Sequence, residues 1–320
     1  MHSNTFVSII IPAFNEERNI EKCLLSLINS NGSTDQYEII VVDNGSSDRT
    51  RDIAARYAKV LMLPNVNIAA LRNYGVKFAK GDILAFLDAD CVVEKDWIQN
   101  ALDSFKSEEI AVAGSPHIVP KDASWVAKAW GINNLEKDNM CLTNYIPSGN
   151  LFIKKECFLK IGGFNENIAV SEDTDLCARL KKNNYKILSN KNISAKHLGV
   201  SENLIDFFKK ELWHGKDVMK IFLHSDFKKQ YLKVISYALF YLFIIFAIII
   251  SGMFLQYKWA MISVFLALFL PFILSLKTSY DKKTSKYIFG LWILYIVYGI
   301  ARSVCIIDIR NWIFVQNERK

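Results

Sequence analysis

Residues 83–90 read ILAFLDAD, an apolar run that ends in two carboxylates one residue apart. The apolar part favours a strand buried on both faces, as in a parallel sheet. Side chains alternate along an extended chain, so Asp88 and Asp90 can point the same way. Ligands of open α/β sheets bind at the carboxyl ends of the strands. We therefore expect both carboxylates at the edge of a binding site.

The rest of the first 200 residues alternates between strand and helix patterns. Strands are predicted at 6–11, 38–42, 60–63, 82–87 and 151–153, and helices at 16–30, 48–57, 69–79, 125–138 and 172–183. Pro12 is predicted to end the first strand, and Ser47 to cap the second helix. This alternation predicts a doubly wound α/β fold with a mostly parallel sheet.

Two common nucleotide-binding loops are absent from the sequence. The first predicted strand runs into Pro12-Ala13-Phe14-Asn15-Glu16, which lacks the glycines that a dinucleotide pyrophosphate needs. A G-x-x-x-x-G-K-[ST] phosphate loop does not occur either. A divalent cation on Asp88 and Asp90 is another way to hold a diphosphate, because Mg²⁺ binds carboxylates together with phosphate oxygens and water. A D-x-D triplet alone is not specific for such a site.

A second acidic cluster lies at Glu172 and Asp173, where a helix is predicted to begin. Acidic residues in a first turn stabilise the helix dipole, and Ser171 could cap it. The alternative is catalytic: a carboxylate can take the proton from an attacking hydroxyl. Asp173 is the first candidate for this base, and Asp175 is the alternative. The triplet Ser148, Gly149 and Asn150, which precedes the strand predicted at 151–153, is predicted to line the side of the site that receives the molecule with this hydroxyl, the acceptor.

The chain of 320 residues becomes strongly apolar after residue 233. Residues 234–255 and 259–276 carry no charge, and 287–307 contains only Arg302. Because ~20 apolar residues cross a bilayer, we expect a membrane domain at 234–310. The third segment either spans, with Arg302 reaching the headgroups, or is re-entrant. These alternatives place the short tail, 311–320, on opposite sides of the membrane.

Lysine placement predicts the orientation. Three lysines precede the first apolar run and four fill the second connection, whereas Lys258 is alone in the first connection. The polar start of the chain does not resemble a secretory signal. We expect a multi-pass protein of the cytoplasmic (inner) membrane with residues 1–203 in the cytosol. The net charge of +7 then indicates attraction to anionic lipid rather than to nucleic acid. The pattern of residues 204–233 predicts an amphipathic juxtamembrane segment. Its first half could instead pack on the domain formed by residues 1–203.

Five blocks occur in the order found in family 2 glycosyltransferases. They are SIIIPAFNEE (8–17), VVDNGSSD (41–48), LRNYG (71–75), GDILAFLDAD (81–90) and SED (171–173). The resemblance covers residues 6–200. It implies a GT-A fold, a UDP- or GDP-linked sugar donor, a divalent cation (Mg²⁺ or Mn²⁺) and inversion at the anomeric carbon. It also implies a part in the synthesis of cell-surface glycans.

The resemblance assigns individual residues. It places Pro12, Ala13 and Glu16 in the first donor loop, Asp43 at the base, Arg72 on the donor side, and Asp88 and Asp90 at the cation and diphosphate. Glu172 and Asp173 match the acidic pair of the family, and this match favours catalysis, with Asp173 as the base, over helix capping alone. His197 is either a further cation ligand or an ordinary loop histidine. For single residues a plainer role stays open: turn chemistry for Pro12 and Asp43, and a solvated helix face for Arg72.

The acceptor and the number of transfers are also predicted. Processive members carry Q-x-x-R-W, whereas residues 209–213 read KKELW, which indicates single transfer. A polyprenyl-linked or other lipid acceptor is expected. A base favours a sugar hydroxyl over a bare polyprenyl phosphate, because the phosphate is already ionised. Two alternatives are a membrane nucleotidyltransferase, which would need a glycine-rich basic loop, and a non-enzymatic transferase-like accessory protein.

Overall fold

The structure, a computed structural model, describes residues 5–30, 36–107, 109–135, 138–224 and 228–308. The chain divides into two compact units. The first unit is Met1–Lys121 with Glu136–Val200, and the second is Asp122–Leu135 with Ser201–Lys320. The predicted boundaries after residues 203 and 233 stay predictions.

The elements follow the order expected of an α/β chain with helices at its end. The strands are β1 Val7–Ala13, β2 Tyr37–Asp43, β3 Lys59–Met62, β4 Ile83–Leu87, β5 Cys91–Val93, β6 Ile110–Gly114, β7 Met140–Leu142, β8 Asn150–Lys154, β9 Lys186–Asn190 and β10 Ala195–His197. The helices are α1 Ile20–Ile28, α2 Thr50–Ala54, α3 Ile68–Val76, α4 Trp97–Ser104, α5 Trp125–Gly131, α6 Lys155–Lys160, α7 Glu172–Lys182, α8 Leu204–Gly215, α9 Val218–His224, α10 Lys228–Met253, α11 Tyr257–Asp281 and α12 Ile288–Ile307.

The first unit contains an eight-stranded sheet with the order β3-β2-β1-β4-β8-β6-β9-β7. Strand β1 pairs in parallel with β2 and with β4, and β2 pairs in parallel with β3. Strands β6 and β9 also pair in parallel. Strand β8 runs antiparallel to both β4 and β6, and β7 antiparallel to β9. The predicted mostly parallel α/β sheet is therefore confirmed. Because Asn150 pairs with Leu87, the start of β8 lies beside the end of β4.

Both faces of the sheet are covered, which explains the continuous apolar runs. Ile9 and Ile11 belong to an apolar cluster on one face, together with residues of α1 and α4. Ile10 belongs to the cluster on the other face, with residues of α3 and α7. All three isoleucines are fully buried. Alternate side chains of a strand thus fill opposite layers of one core.

Two predictions about turns are wrong. Strand β1 continues through Pro12 to Ala13; pairing with β4 ends at Ile10, so the proline removes no hydrogen bond from that ladder. Helix α2 begins at Thr50 rather than after Ser47, because the Asp48 carboxylate accepts a hydrogen bond from the Thr50 N–H at 3.0 Å. The N-cap residue of that helix is Arg49, which makes no capping hydrogen bond through its side chain.

The second unit is helical. Helices α5 and α8 meet where Trp130 packs edge-on against Phe207, with ring centroids 4.8 Å apart. Leu294 of α12 belongs to the same apolar cluster. The described packing of the first juxtamembrane helix is therefore with other helices of the second unit. Its placement in the membrane interface stays a prediction.

Among the described residues, three helices are long and apolar enough to cross a membrane: Tyr231–Met253, Tyr257–Asp281 and Ser285–Ile307, with mean hydropathies of 2.6, 2.3 and 1.8. They coincide closely with the three predicted runs. The expectation that Arg302 reaches the headgroups is wrong. Arg302 is buried and donates to the carboxylate of Glu211 in α8 at 2.6 Å, so its charge is neutralised within the unit. The tail at 311–320 lies outside the described residues.

Candidate functional site

The two carboxylates of the D-x-D motif lie in the short link between β4 and β5. The backbone N–H of Asp88 donates to the carbonyl of Gly149 (3.3 Å). The carbonyl of Asp90 accepts from the N–H of Leu198 (2.8 Å). The link is therefore tied on one side to the start of β8 and on the other to the segment after β10. Both predicted carboxylates lie at the carboxyl end of a buried parallel strand, as expected.

Arg72 is a buried ionic link and not a solvated helix residue. It lies on α3 and is only 1% exposed. Its Nη2 donates to Asp88 Oδ1 at 2.7 Å, and its Nη1 donates to Glu172 Oε1 at 2.5 Å. Burial opposes ionisation of Asp88, but the charges of Arg72, His117 and His197 together outweigh it and hold the pKa of that carboxyl below its usual range. Asp88 is therefore ionised and fixed in place.

The acidic pair begins α7, but Ser171 does not cap that helix. Ser171 has a left-handed backbone with φ of 69° and its side chain makes no capping hydrogen bond. The capping interpretation is therefore wrong for Ser171. Glu172 is buried, and besides Arg72 its Oε1 accepts from the hydroxyl of Ser148 at 2.9 Å. Glu172 thus joins the donor-side arginine to the loop before β8.

Asp173 is half-buried and held by the same loop. Its Oδ2 accepts from the Tyr145 hydroxyl (2.8 Å) and from the Ser148 N–H (3.3 Å). Burial, followed by the neighbouring charge of Glu172, raises the pKa of Asp173 to about 6. Asp175, the alternative base, is paired with Arg179 one helical turn later at 2.7 Å. The geometry therefore favours Asp173 as the group that can gain a proton near neutral pH.

A continuous chain of polar contacts joins these residues. It runs from Asp88 to Arg72, then to Glu172, to Ser148 and to Asp173. The sequence predicted every member of this chain of contacts as a site residue, although the members are spread over about 100 positions. The fold brings all five together.

A second group of possible cation ligands lies beside this chain. Ligand atoms of Asp90, Cys91 and His197 lie within 4.8 Å of one another. His197 pairs with Cys91 across β10 and β5, and its Nε2 lies 3.5 Å from Asp90 Oδ1. Cys91 is fully buried, which raises the pKa of its thiol and keeps it protonated, so it is a poor ligand. A Cβ at Gly199 would overlap the Asp90 carboxylate, so only glycine leaves that oxygen room. A carboxylate and an imidazole in this arrangement fit a divalent cation.

The predicted donor loop is attached to the loop after β2. The Asn15 N–H donates to the Ser46 hydroxyl (2.9 Å), and the Glu16 N–H donates to the Thr50 hydroxyl (2.7 Å). Pro12 and Ala13 form the buried end of β1 just before it. Burial, with added repulsion from Asp90 and Asp88, raises the pKa of Glu16. Glu16 is therefore close enough to the two carboxylates of the D-x-D motif to feel their charge.

Asp43 is fully buried and organises a turn. Its Oδ2 accepts from the N–H groups of Gly45 and Ser46, both at 2.9 Å, and its Oδ1 accepts from the Ser46 hydroxyl at 2.5 Å. The turn interpretation of this residue is confirmed. A contact between Asp43 and a nucleotide base stays a prediction.

Asn150 does not line an acceptor site through its side chain. It is fully buried; its Oδ1 accepts from the indole N–H of Trp97 (2.9 Å), and its Nδ2 donates to the carbonyls of Ser115 and Ile193. These bonds occupy the amide inside the core. The prediction is therefore wrong for this residue, while Ser148 and Gly149 remain at the site.

The structure adds two residues that the sequence interpretation missed. Tyr145 binds Asp173, and nothing in its local sequence signals this contact. His117 follows β6, with its ring 5.0 Å from that of His197. Burial, followed by the charge of His197, lowers the pKa of His117. The available signal for His117 was its position just after an apolar run, at the same edge of the sheet as Asp88.

Known proteins resemble this chain along much of its length. Glycosyltransferase AglE of Haloferax volcanii is 28% identical over 192 residues, which cover 57% of this chain and 63% of AglE. This chain thus spans less than two thirds of that relative. The dolichyl N-acetyl-alpha-D-glucosaminyl phosphate 3-beta-D-2,3-diacetamido-2,3-dideoxy-beta-D-glucuronosyltransferase of Methanococcus voltae is 26% identical over 283 residues, 78% of this chain and 82% of that protein.

Solved structures agree on the fold. Mannosyltransferase PcManGT from Pyrobaculum calidifontis, in complex with GDP-Man and Mn²⁺, superposes with a TM-score of 0.56 at 18% identity. The match covers 69% of this chain and 64% of that one, and it shows that the first unit has the GT-A fold. Residues 8–159 match the sequence model of Glycosyl transferase family 2. Residues 8–159 are therefore a family 2 glycosyltransferase domain within a unit of the GT-A fold, and three apolar helices long enough to span a membrane follow in the chain.

Proposed function

We propose that this protein is a metal-dependent, inverting glycosyltransferase. It moves one sugar from a UDP- or GDP-linked donor to a lipid-linked saccharide in the synthesis of cell-surface glycans. The observation that carries the proposal is the polar chain from Asp88 through Arg72 and Glu172 to Asp173. It joins an ionised carboxylate suited to a cation with a carboxyl suited to proton transfer.

The donor side is built for a cation and a diphosphate. Asp88, Asp90 and His197 would hold Mg²⁺ or Mn²⁺ at the end of β4. When bound, such an ion neutralises charge on the diphosphate as it leaves. Arg72 contacts carboxylates with both of its terminal nitrogens and is buried, so it positions Asp88 and Glu172 rather than facing the donor directly. Pro12, Ala13 and Glu16 would border the nucleotide, and Asp43 would hold the loop that receives the base.

The acceptor side would supply the proton transfer. An acceptor hydroxyl oxygen attacks the anomeric carbon, and the bond from that carbon to the diphosphate oxygen breaks with its electron pair. The hydroxyl proton passes to Asp173, and the nucleoside diphosphate leaves. Attack from the face opposite the leaving group inverts the anomeric centre. Tyr145 and the Ser148 N–H hold one oxygen of Asp173 during this step.

Two features support a lipid-linked saccharide as the acceptor. The three apolar helices give the protein a means of binding a bilayer, where a lipid-linked acceptor resides. A carboxyl with a pKa of about 6 is useful against a hydroxyl, whereas a polyprenyl phosphate is already ionised. The Methanococcus voltae relative carries a dolichyl-linked sugar phosphate in its name. We further propose that residues 1–203 work on the cytosolic face and that, given KKELW at 209–213, transfer occurs once per acceptor.

The test uses the full chain purified in detergent with a panel of UDP- and GDP-sugars. We expect release of nucleoside diphosphate from one donor class in the presence of Mn²⁺ or Mg²⁺, and faster release with the correct acceptor. Asp90→Asn should fold normally by circular dichroism and lose most turnover. Turnover that persists in excess EDTA would contradict the metal site. Transfer of a nucleotidyl group rather than a sugar would instead support the nucleotidyltransferase alternative.

A further inference from the structure

His117 lies at the cation site although the sequence gives it no motif. The segment after β6 is hydrogen-bonded to β10. The Ile118 N–H donates to the carbonyl of Ala195 (2.9 Å), and the His197 N–H donates to the carbonyl of Ile118 (3.2 Å). This bridge sets residues 117 and 197 side by side. Their rings are 5.0 Å apart at an angle of 55°.

The Nε2 atom of His117 is buried and makes no hydrogen bond to any residue that the structure describes. It borders the same small space as the Asp88 carboxylate. A Cβ at Gly149 would come within 2.8 Å of this nitrogen and would overlap Asp88 Oδ2. A buried polar atom without a partner is costly. Its position beside an ionised carboxylate and a second imidazole points to a ligand that is a cation.

We propose that His117 is a second imidazole ligand of the divalent cation at Asp88, Asp90 and His197, and that it makes the site prefer Mn²⁺ over Mg²⁺. This inference deepens the proposed function and rests on it. Imidazole nitrogen suits transition metals, whereas Mg²⁺ favours carboxylate, phosphate and water oxygens. A site with two imidazole ligands therefore favours Mn²⁺ over Mg²⁺ more strongly than a site built from carboxylates alone.

The ring separation agrees with this proposal. Two imidazoles on one ion, with metal–nitrogen bonds of ~2.1 Å and bond angles of about 90–110°, have ring centres roughly 4.6–5.3 Å apart. The observed 5.0 Å lies within that range. His197 Nε2 also lies 3.5 Å from Asp90 Oδ1, so the ring beside His117 is itself next to the second carboxylate.

The first experiment measures cation binding without turnover. Full-length protein in detergent is titrated with Mn²⁺, and the free ion is followed by electron paramagnetic resonance, with Mg²⁺ as the competitor. We expect His117→Asn to weaken Mn²⁺ binding by about 10-fold to 100-fold while Mg²⁺ binding changes little, because an imidazole ligand matters more to the transition metal. His214→Asn makes the same change in α8 and is the matched control. Circular dichroism and metal-free thermal unfolding check that each variant folds.

The second experiment counts nitrogen ligands. Pulsed paramagnetic resonance of bound Mn²⁺ should show two histidine nitrogens in the wild type and one in His117→Gln, which keeps a polar side chain. Unchanged Mn²⁺ affinity in His117→Asn, or a single nitrogen in the wild type, overturns the proposal. Loss of UDP or GDP affinity with normal Mn²⁺ affinity would assign His117 to the diphosphate instead. If the wild type binds Mn²⁺ through two nitrogens but transfers no sugar, the cation site stands and the proposed function fails.

Discussion

Each unit of this protein contains a buried arginine paired with carboxylates, and the two differ in charge balance. Arg72 in the first unit contacts both Asp88 and Glu172, so the cluster retains one negative charge. Arg302 in the second unit pairs with one carboxylate among the described residues, that of Glu211, and also donates to the Glu211 backbone carbonyl at 2.7 Å, so that pair is neutral. Excess negative charge at a buried site requires a cation, whereas a neutral pair in an apolar helix bundle requires none.

The difference separates a functional cluster from a structural clamp. The Arg72 cluster continues through polar contacts to the candidate base, and it borders the possible cation ligands. The Arg302 pair is enclosed by Tyr298, whose ring lies 4.8 Å from the guanidinium, and by Gly215, whose missing side chain leaves room for it. We therefore expect changes at Arg72 to alter chemistry and stability together, and changes at Arg302 to alter stability alone.

The largest expected effect is at the acidic end of the Arg72 cluster. Asp173→Asn should lower turnover by ~10²–10⁴-fold, the usual contribution of general acid–base catalysis. Donor binding, measured by calorimetry on the same variant, should be nearly unchanged because this residue serves the acceptor. Asp175→Asn is the matched control and should keep most turnover. Normal turnover in Asp173→Asn would show that Asp173 is not the base and only stabilises the first turn of α7.

Removing the first arginine should cost both stability and activity. Arg72→Met leaves the buried Glu172 and the half-buried Asp88 without a counter-charge; for a fully buried ion pair such a loss costs about 3–5 kcal/mol. We expect a lower thermal unfolding temperature and lower turnover, because Asp88 and Glu172 lose the group that holds both in place. Adding Glu172→Leu should not restore the wild-type stability, because Asp88 stays unpaired. Full recovery in this double variant would show that the cluster is only a structural ion pair.

The pair of Arg302 and Glu211 should differ from the Arg72 cluster, because removing both of its partners should restore stability. Arg302→Met should also lower the free energy of unfolding by about 3–5 kcal/mol, because Glu211 is left buried without a counter-charge. The double variant Arg302→Met, Glu211→Leu should recover most of that stability. Thermal unfolding of the full chain in detergent measures both. Turnover of the folded double variant should resemble that of the wild type. A double variant as unstable as the single one would mean that the pair specifies the helix packing.

The pH dependence of turnover sharpens the assignment of the base. Burial raises the pKa of Asp173 to about 6, and the base must be ionised to take a proton. Turnover should therefore be full above this pKa and fall about tenfold per pH unit below it. The measurement uses saturating Mn²⁺, so that protonation of His197 does not remove the ion. A flat profile between pH 5 and 8 would contradict the assignment.

The smallest expected effect is at Tyr145. Its hydrogen bond lowers the pKa of Asp173, so Tyr145→Phe should move the acid limb of the pH profile to higher pH. Turnover at neutral pH should fall several-fold, with the donor KM unchanged. Tyr57→Phe removes a similar hydrogen bond, from Tyr57 to Glu21 at 3.0 Å, and is the matched control. An identical pH profile in both variants would show that Tyr145 does not position the base.

Much of the fold could be predicted because it depends on local patterns. The buried strand before Asp88 and the apolar runs after residue 233 are recognisable from their own residues, since burial on both faces and bilayer length each require continuous apolar sequence. Helix starts were less predictable. Ser47 and Ser171 look like capping residues, but Asp48 and a left-handed backbone at Ser171 decide those turns.

The composition of the site also has a local and a non-local part. The sequence by itself determined the two carboxylates after β4, the acidic pair at α7 and the apolar helices, because each is a short pattern with its own chemistry. Only the tertiary structure decided that Arg72 is buried between Asp88 and Glu172, that Asn150 points into the core, and that His117 lies beside His197. The physical reason is that pairing of β4 with β8, and of β5 with β10, sets which distant side chains share one space. No periodicity along the chain encodes that pairing.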